Sequence, residues 1–309
     1  MIQEKETALI KRAKSLGTQV GNTPLVRLGK LLDHPRVQLW AKQEWHQLSG
    51  SVKSRAAYFI IMDALQKGAL DESKTLLDAT SGNTGIAYAA IGAALGIRVA
   101  LCLPENASKE RKDILQSLGA EIIYTSKFEG TDGAQEVAAD LAQTHPDKYF
   151  YADQYKNENN WKAHYHTTGE EIIRQVPHLT HFVAGLGTTG TFIGTSRKLR
   201  EYNSDIQCIS FQPDNPMHGL EGWKHLETAT VPRIYDPLVA DQNIEVSTEE
   251  SYEMLKKVYR DEGLLISPSS AANLAGAVKL ANTIDKGTIV TVLPDNADKY
   301  SEVVKKLIP

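Results

Sequence analysis

From Val37 almost to the last residue, short apolar runs alternate with stretches of helical periodicity, and this alternation restricts the chain to few architectures. Strands are predicted over 37–42, 75–79, 99–103, 121–124, 181–184, 207–211 and 288–293. Helices are predicted over 54–65, 84–95, 108–118, 134–143, 161–175, 191–201, 248–262 and 270–283. A helix between two strands makes a crossover connection, so the strands it joins run parallel in one sheet. The expected class is therefore α/β with mainly parallel sheets. Gly96, Gly119 and Gly263 each follow a helical segment, at the position where a left-handed residue ends a helix. A chain of 309 residues exceeds one small core, which suits two lobes. The polar stretch from Asp153 to Asn160 marks the expected change of lobe, and the first 39 residues lack regular alternation. The expected organisation is an N-terminal segment, 1–39, packing on the larger lobe, a smaller lobe over 40–158, and a larger lobe over 159–309.

Composition excludes several function classes. A formal net charge of −4 provides no field for nucleic acid or an anionic membrane surface. No apolar run approaches the ~20 residues that span a bilayer, and Met1–Glu6 is charged where a signal peptide would be apolar. Cys102 and Cys208 both sit in apolar runs and read as small buried hydrophobes, which fits a reducing, cytoplasmic setting. His164 and His166, two residues apart, do not share a helix face, and no metal site is expected.

Chemistry concentrates at strand-to-helix junctions. In Ser49-Gly50-Ser51-Val52-Lys53-Ser54-Arg55 a lysine stands among small residues where a helix begins. It reads either as a Schiff-base lysine, whose amine serves as a nucleophile toward a carbonyl, or as a surface lysine at a helix start, where a cation is electrostatically disfavoured. Thr80-Ser81-Gly82-Asn83-Thr84-Gly85 joins a predicted strand to a helix whose first amides are open to an anion. Gly185-Leu186-Gly187-Thr188-Thr189-Gly190-Thr191 repeats that logic. It matches the dinucleotide pattern G-x-G-x-x-G, but the next strand ends in Gln212-Pro213 and not in the acidic residue that would hold a ribose. Threonines at 188, 189 and 191 suit a compact phosphate instead. A further turn, Ile266 to Ala272, enters a helix through Ser269 and reads, by itself, as an N-cap. A lysine amine together with two anion-ready helix starts suits a pyridoxal phosphate enzyme.

These segments, with Gly21-Asn22-Thr23-Pro24-Leu25-Val26 and Gln154, resemble the cysteine synthase (O-acetylserine sulfhydrylase) family of fold-type II pyridoxal-phosphate enzymes, over nearly the whole chain and in order. Gln212-Pro213 and Ile234-Tyr235-Asp236-Pro237 look most like its B-type branch. The resemblance implies two three-layer αβα lobes with the cofactor in the cleft between them, and a cytoplasmic homodimer. It implies formation of L-cysteine from O-acetyl-L-serine, or a related activated serine, and sulfide or another sulfur donor, through an aminoacrylate. Carried over residue by residue, Lys53 matches the Schiff-base lysine and catalytic base, and Gly187, Thr188, Thr189, Gly190 and Thr191 match the phosphate cup. Asn83 matches the residue bonded to the cofactor's 3′-oxygen. Thr80, Ser81, Gly82, Thr84 and Gln154 match the site of the substrate carboxylate. Ser269 matches the serine at the pyridine nitrogen, with Ser270 as the alternative. Implied partners are small-molecule substrates and, in some relatives, a serine acetyltransferase or a sulfur-carrier protein.

The chain departs from the family pattern at three places. Gln47-Leu48 stand where the family has Asn-Pro, Ser54 stands where it has Asp, and Glu221 lies near where O-phosphoserine-using relatives have an arginine. A carboxylate there opposes a phosphate ester, so O-acetylserine is the expected donor. Cystathionine β-synthase, serine or threonine dehydratase, and a non-catalytic relative are the alternatives.

Overall fold

Two sheets organise the chain. The computed structural model describes residues 7–80 and 82–308. Of these, 7–21 and 53–160 form one compact unit, and 22–52 with 161–308 form the other.

In the first unit four parallel strands lie in the order Glu121–Thr125, Arg98–Pro104, Thr75–Ala79, Tyr149–Tyr151. Strand alternation sorts their side chains onto two faces. Leu77, Ala79, Ala100 and Cys102 pack with Ala134 and Ala138 of the helix Gly130–Thr144. Leu76, Asp78, Val99 and Leu101 therefore face the other way, toward the helix Asn83–Leu95. That helix lies close: a Cβ on Gly92 would stand 2.5 Å from Val99 Cγ2. The helices Lys53–Gln66 and Ala8–Leu16 complete this layer.

The second unit holds a six-stranded sheet in the order Leu25–Arg27, Val37–Gln43, Gly287–Leu293, His181–Gly185, Gln207–Pro213, Gln242–Val246. Only the pair formed by Leu25–Arg27 and Val37–Gln43 is antiparallel among its described strands. On one face Val183, Ile209 and Ile289 meet Leu255, Leu274 and Ala277 of the helices Thr248–Glu262 and Pro268–Ala281. On the other, Phe182, Cys208 and Val290 meet Ile172, Phe192 and Leu199. Each unit is thus an αβα sandwich, as the α/β reading requires.

The domain boundaries are redrawn. Residues 40–52 belong with the second unit, because Val37–Gln43 pairs with Gly287–Leu293. Residues 7–21 fall in the first unit, where the helix Ala8–Leu16, capped by the Thr7 hydroxyl, packs on Lys53–Gln66 and Asn83–Leu95; residues 1–6 lie outside the described ones. The helix expected over 161–175 is interrupted: Asn159–His164 passes into a π turn, Tyr165–Gly169, before Glu170–Gln175. No described helix is long and apolar enough to cross a membrane.

Candidate active site

In the first unit, the strand Thr75–Ala79 delivers the chain into Thr80 and Gly82, and the helix starts at Asn83. The Gly82 N–H donates to Thr80 Oγ1 (3.2 Å), which tightens the turn. Gly85 is required for packing, since a Cβ there would meet Thr80 Cγ2 at 2.6 Å. Thr84 Oγ1 donates to Gln154 Oε1 (2.7 Å), and Gln154 Nε2 donates to the Ala79 carbonyl (3.0 Å). Gln154 itself is held by Asn160 Nδ2 on its carbonyl (2.8 Å). The structure thus brings Thr80, Gly82, Asn83, Thr84 and Gln154 together; Ser81 lies outside the described residues. The buried Arg111 guanidinium sits behind this turn, 3.9 Å from where a Gly82 Cβ would be. Helix amides and a cation at one turn make a place for a carboxylate.

Beneath the turn lies Asp78, fully buried at the end of its strand. Its carboxylate accepts from the Ala79 N–H (2.8 Å) and the Gln154 N–H (3.3 Å). Burial pushes its pKa up to about 7, against those hydrogen bonds.

Lys53 is the first residue of the helix Lys53–Gln66 and is half-buried. Ser51, Ser54 and Arg55 around it are inaccessible to solvent. The segment leading to it is fastened within the second unit: the Val52 N–H donates to the Pro294 carbonyl (2.8 Å) and Lys299 Nζ donates to the Gly50 carbonyl (2.9 Å). Gly50 has φ +65°, a conformation that favours glycine. Gln47 accounts for one departure from the family pattern, because its amide donates to the Glu44 carbonyl (3.0 Å) and to Glu44 Oε2 (2.8 Å) and closes the turn.

In the second unit, the strand His181–Gly185 passes through Leu186–Thr189 into the helix Gly190–Tyr202. A Cβ on Gly187 would stand 2.0 Å from the Gly222 carbonyl, so the turn tolerates only glycine there. Thr189 has φ +70°, a left-handed conformation costing a β-branched residue on the order of 1–3 kcal/mol. Its hydroxyl is buried without a hydrogen-bond partner and does not cap the helix. Thr191 Oγ1 lies 3.2 Å from His164 Nε2, and His164 Nδ1 lies 2.9 Å from Thr168 Oγ1 in the π turn. Glu221, exposed, adjoins the Gly222 that covers Gly187.

Two serines compete at the helix Pro268–Ala281. Ser270 Oγ donates to the Asp295 carbonyl (2.7 Å), whereas Ser269 Oγ has a shared contact with Ser267 Oγ (3.1 Å). Ser270 is committed internally, which leaves Ser269 as the hydroxyl able to face a ligand. Asn273, one turn further, accepts from the Gly185 N–H (2.7 Å) and donates to the Val292 carbonyl (2.8 Å), fixing the start of the glycine turn.

Three supporting residues escaped the sequence reading. His164 makes no metal pair with His166, yet it is buried and bonded to Thr191; its i, i+4 spacing to Thr168 is the available signal. Asp78, an acid inside an apolar strand, was another. Asn273 had no signal beyond being polar within an apolar helix. Among the described residues no acid, histidine and cysteine cluster suits a metal, and Cys102 and Cys208 are free and buried. Burial, then the nearby Asp78, pushes the Cys102 thiol up to about 12, so it is no nucleophile.

Comparisons with known proteins agree on one family. A family model described as pyridoxal-phosphate dependent enzyme matches residues 16–295. A cysteine synthase of Aquifex aeolicus is 45% identical over 97% of this chain and 94% of its own. A cysteine synthase B of Pseudomonas aeruginosa is 37% identical, covering 91% and 93%. The solved structure of an O-acetyl serine sulfhydrylase isoform from Entamoeba histolytica superposes with a TM-score of 0.86 at 28% identity, covering 98% of this chain and 92% of that one.

Proposed function

The chain belongs to the cysteine synthase family of pyridoxal-phosphate-dependent enzymes, and on that premise we propose that it replaces the acetoxy group of O-acetyl-L-serine with sulfide to give L-cysteine and acetate. Its residues fit the cofactor. The observation that carries the reading is Thr189, whose strained backbone and orphaned buried hydroxyl, at the head of a 13-residue helix, call for an anionic ligand. Gly187, Thr188, Thr189, Gly190 and Thr191 hold the phosphate, with His164 steadying Thr191. Asn83 bonds the 3′-oxygen. Ser269 faces the pyridine nitrogen as a neutral partner.

Bound to an amino acid, this cofactor supplies an electron sink for charge developing at Cα. Lys53 Nζ would anchor the cofactor through its aldehyde at rest and, freed when the donor's own amine takes that place, would accept the proton from Cα of the donor and return it to Cα of the product. Thr80, Ser81, Gly82, Thr84 and Gln154 grip the donor carboxylate and so aim the Cα–H bond at that amine. A neutral serine at the ring nitrogen limits how far charge is stored there, which favours loss of the Cβ leaving group over racemisation. On the family likeness, Glu221 stands near the donor's leaving group and, as an exposed carboxylate, mildly disfavours a phosphorylated donor. On the family likeness the reading extends to a cytoplasmic homodimer that draws its donor from a serine acetyltransferase, or its sulfur from a carrier protein.

The test is product analysis. Holoenzyme given O-acetylserine and sulfide should accumulate cysteine in step with acetate. Pyruvate release without cysteine would instead mark a dehydratase.

A further inference from the structure

Asp78 has no part in the chemistry above, yet it touches both ends of the turn assigned to the donor carboxylate. One oxygen accepts from the Ala79 N–H at 2.8 Å, immediately before Thr80. The other accepts from the Gln154 N–H at 3.3 Å. The Gln154 side chain then bridges the Ala79 carbonyl and Thr84 Oγ1. The two feet of the turn are thereby tied through one buried carboxyl group. We propose that Asp78 is a positioning residue for the donor-carboxylate turn, and that its charge sets how tightly the enzyme holds an anionic amino acid.

This rests on the assignment of Thr80–Thr84 and Gln154 to the donor carboxylate. Tyr88 from the helix Asn83–Leu95 lies on Asp78's side of the sheet, and the other ionisable groups within electrostatic reach are Cys102 and Tyr151 from the opposite face, Asp153 and Tyr155. All are neutral or negative; Asp153 is paired outward with Lys156 (3.0 Å). Burial in this company brings Asp78 to titrate near pH 7. Either protonation state accepts from the two amides, so the turn keeps its shape. Only the ionised state adds a negative charge behind a turn that must receive a carboxylate. Below about pH 7 the group is neutral and the donor binds well; above it, binding weakens.

The experiment measures kcat and KM for O-acetyl-L-serine from about pH 6 to 8.5, a span bracketing the titration, with holoenzyme of wild type, Asp78→Asn, Asp78→Ala and Thr84→Val. In wild type, KM should rise severalfold through pH 7 with little change in kcat. Asp78→Asn, uncharged at every pH but with one acceptor in place of two, should flatten that rise from a higher baseline KM, the comparison of slopes over the same pH range cancelling the donor's own amine titration. Asp78→Ala, which removes both acceptors, should raise KM at least tenfold at every pH. Should the alanine variant fail to fold, the near-isosteric asparagine variant still decides through the pH profile. An asparagine variant with the wild-type rise overturns the proposal if Thr84→Val raises KM. If Thr84→Val also leaves KM unchanged, the turn does not bind the donor, and the proposal falls with that assignment.

Discussion

Thr80–Gly85 and Gly185–Thr191 are both glycine- and threonine-rich turns between a parallel strand and a helix, and in the sequence they look interchangeable. Their side chains have different fates. In the first turn Thr84 is paired with Gln154 and Thr80 accepts from Gly82. In the second, Thr189 sits in a left-handed conformation with a buried hydroxyl that no protein group satisfies. A turn whose threonines are already paired can accept a ligand on its amides and let it go. A turn left strained and unsatisfied is completed by a ligand that stays. The difference between these threonines fits the proposed roles, a passing carboxylate at Thr80 and Thr84 and a resident phosphate at Thr189, while Asn83 of the first turn is assigned to the cofactor as well.

The largest effect bears on neither turn but on Lys53. Lys53→Ala should lower turnover by about 10³-fold or more, since on the proposed mechanism it removes the general base as well as the covalent anchor. Thermal unfolding should be nearly unchanged, because the lysine is half-buried at a helix start. Cysteine formation near the wild-type rate would break the assignment.

The comparison itself breaks on Thr189 and Thr191. Changing both to Val keeps their shape and leaves phosphate oxygens short of donors, at roughly 1–3 kcal/mol for each. Cofactor affinity in a titration of apoenzyme should fall at least tenfold, with KM for O-acetylserine in cofactor-saturated enzyme little altered. Unchanged cofactor affinity would mean that the two turns do not divide the work in this way.

Glu221→Arg gives the smallest effect. Glu221 is exposed, so its opposition to a phosphorylated donor belongs to the high-dielectric limit, about 1 kcal/mol at ~4 Å. The kcat/KM ratio of O-acetylserine to O-phosphoserine should drop about fivefold in the variant. A wild type that prefers O-phosphoserine would contradict the donor assigned here.

Much of this was legible in the sequence where a local rule applied. Alternating strand and helix patterns fixed the class, and glycine at 96 and 263 ended helices in the left-handed region. Elements without such a signal were missed. Gln242–Val246 is a polar edge strand, Tyr149–Tyr151 has three residues, and both exist because a neighbouring strand pairs with them. The placement of 40–52 depended on pairing with residues 287–293, which no local pattern reveals. The site divides likewise. Lysine, glycines and threonines announced themselves at strand-to-helix junctions. His164, Asp78 and Asn273 act through distant partners, and only folding brings His164 to Thr191, Asp78 to Gln154 and Asn273 to Gly185.

The central claim is that Lys53 holds the cofactor. Borohydride reduction of the holoenzyme, followed by digestion and mass spectrometry, reads this directly. The account predicts one pyridoxyl group, on Nζ of Lys53. A pyridoxyl group on another lysine, with Lys53 unmodified, would contradict it.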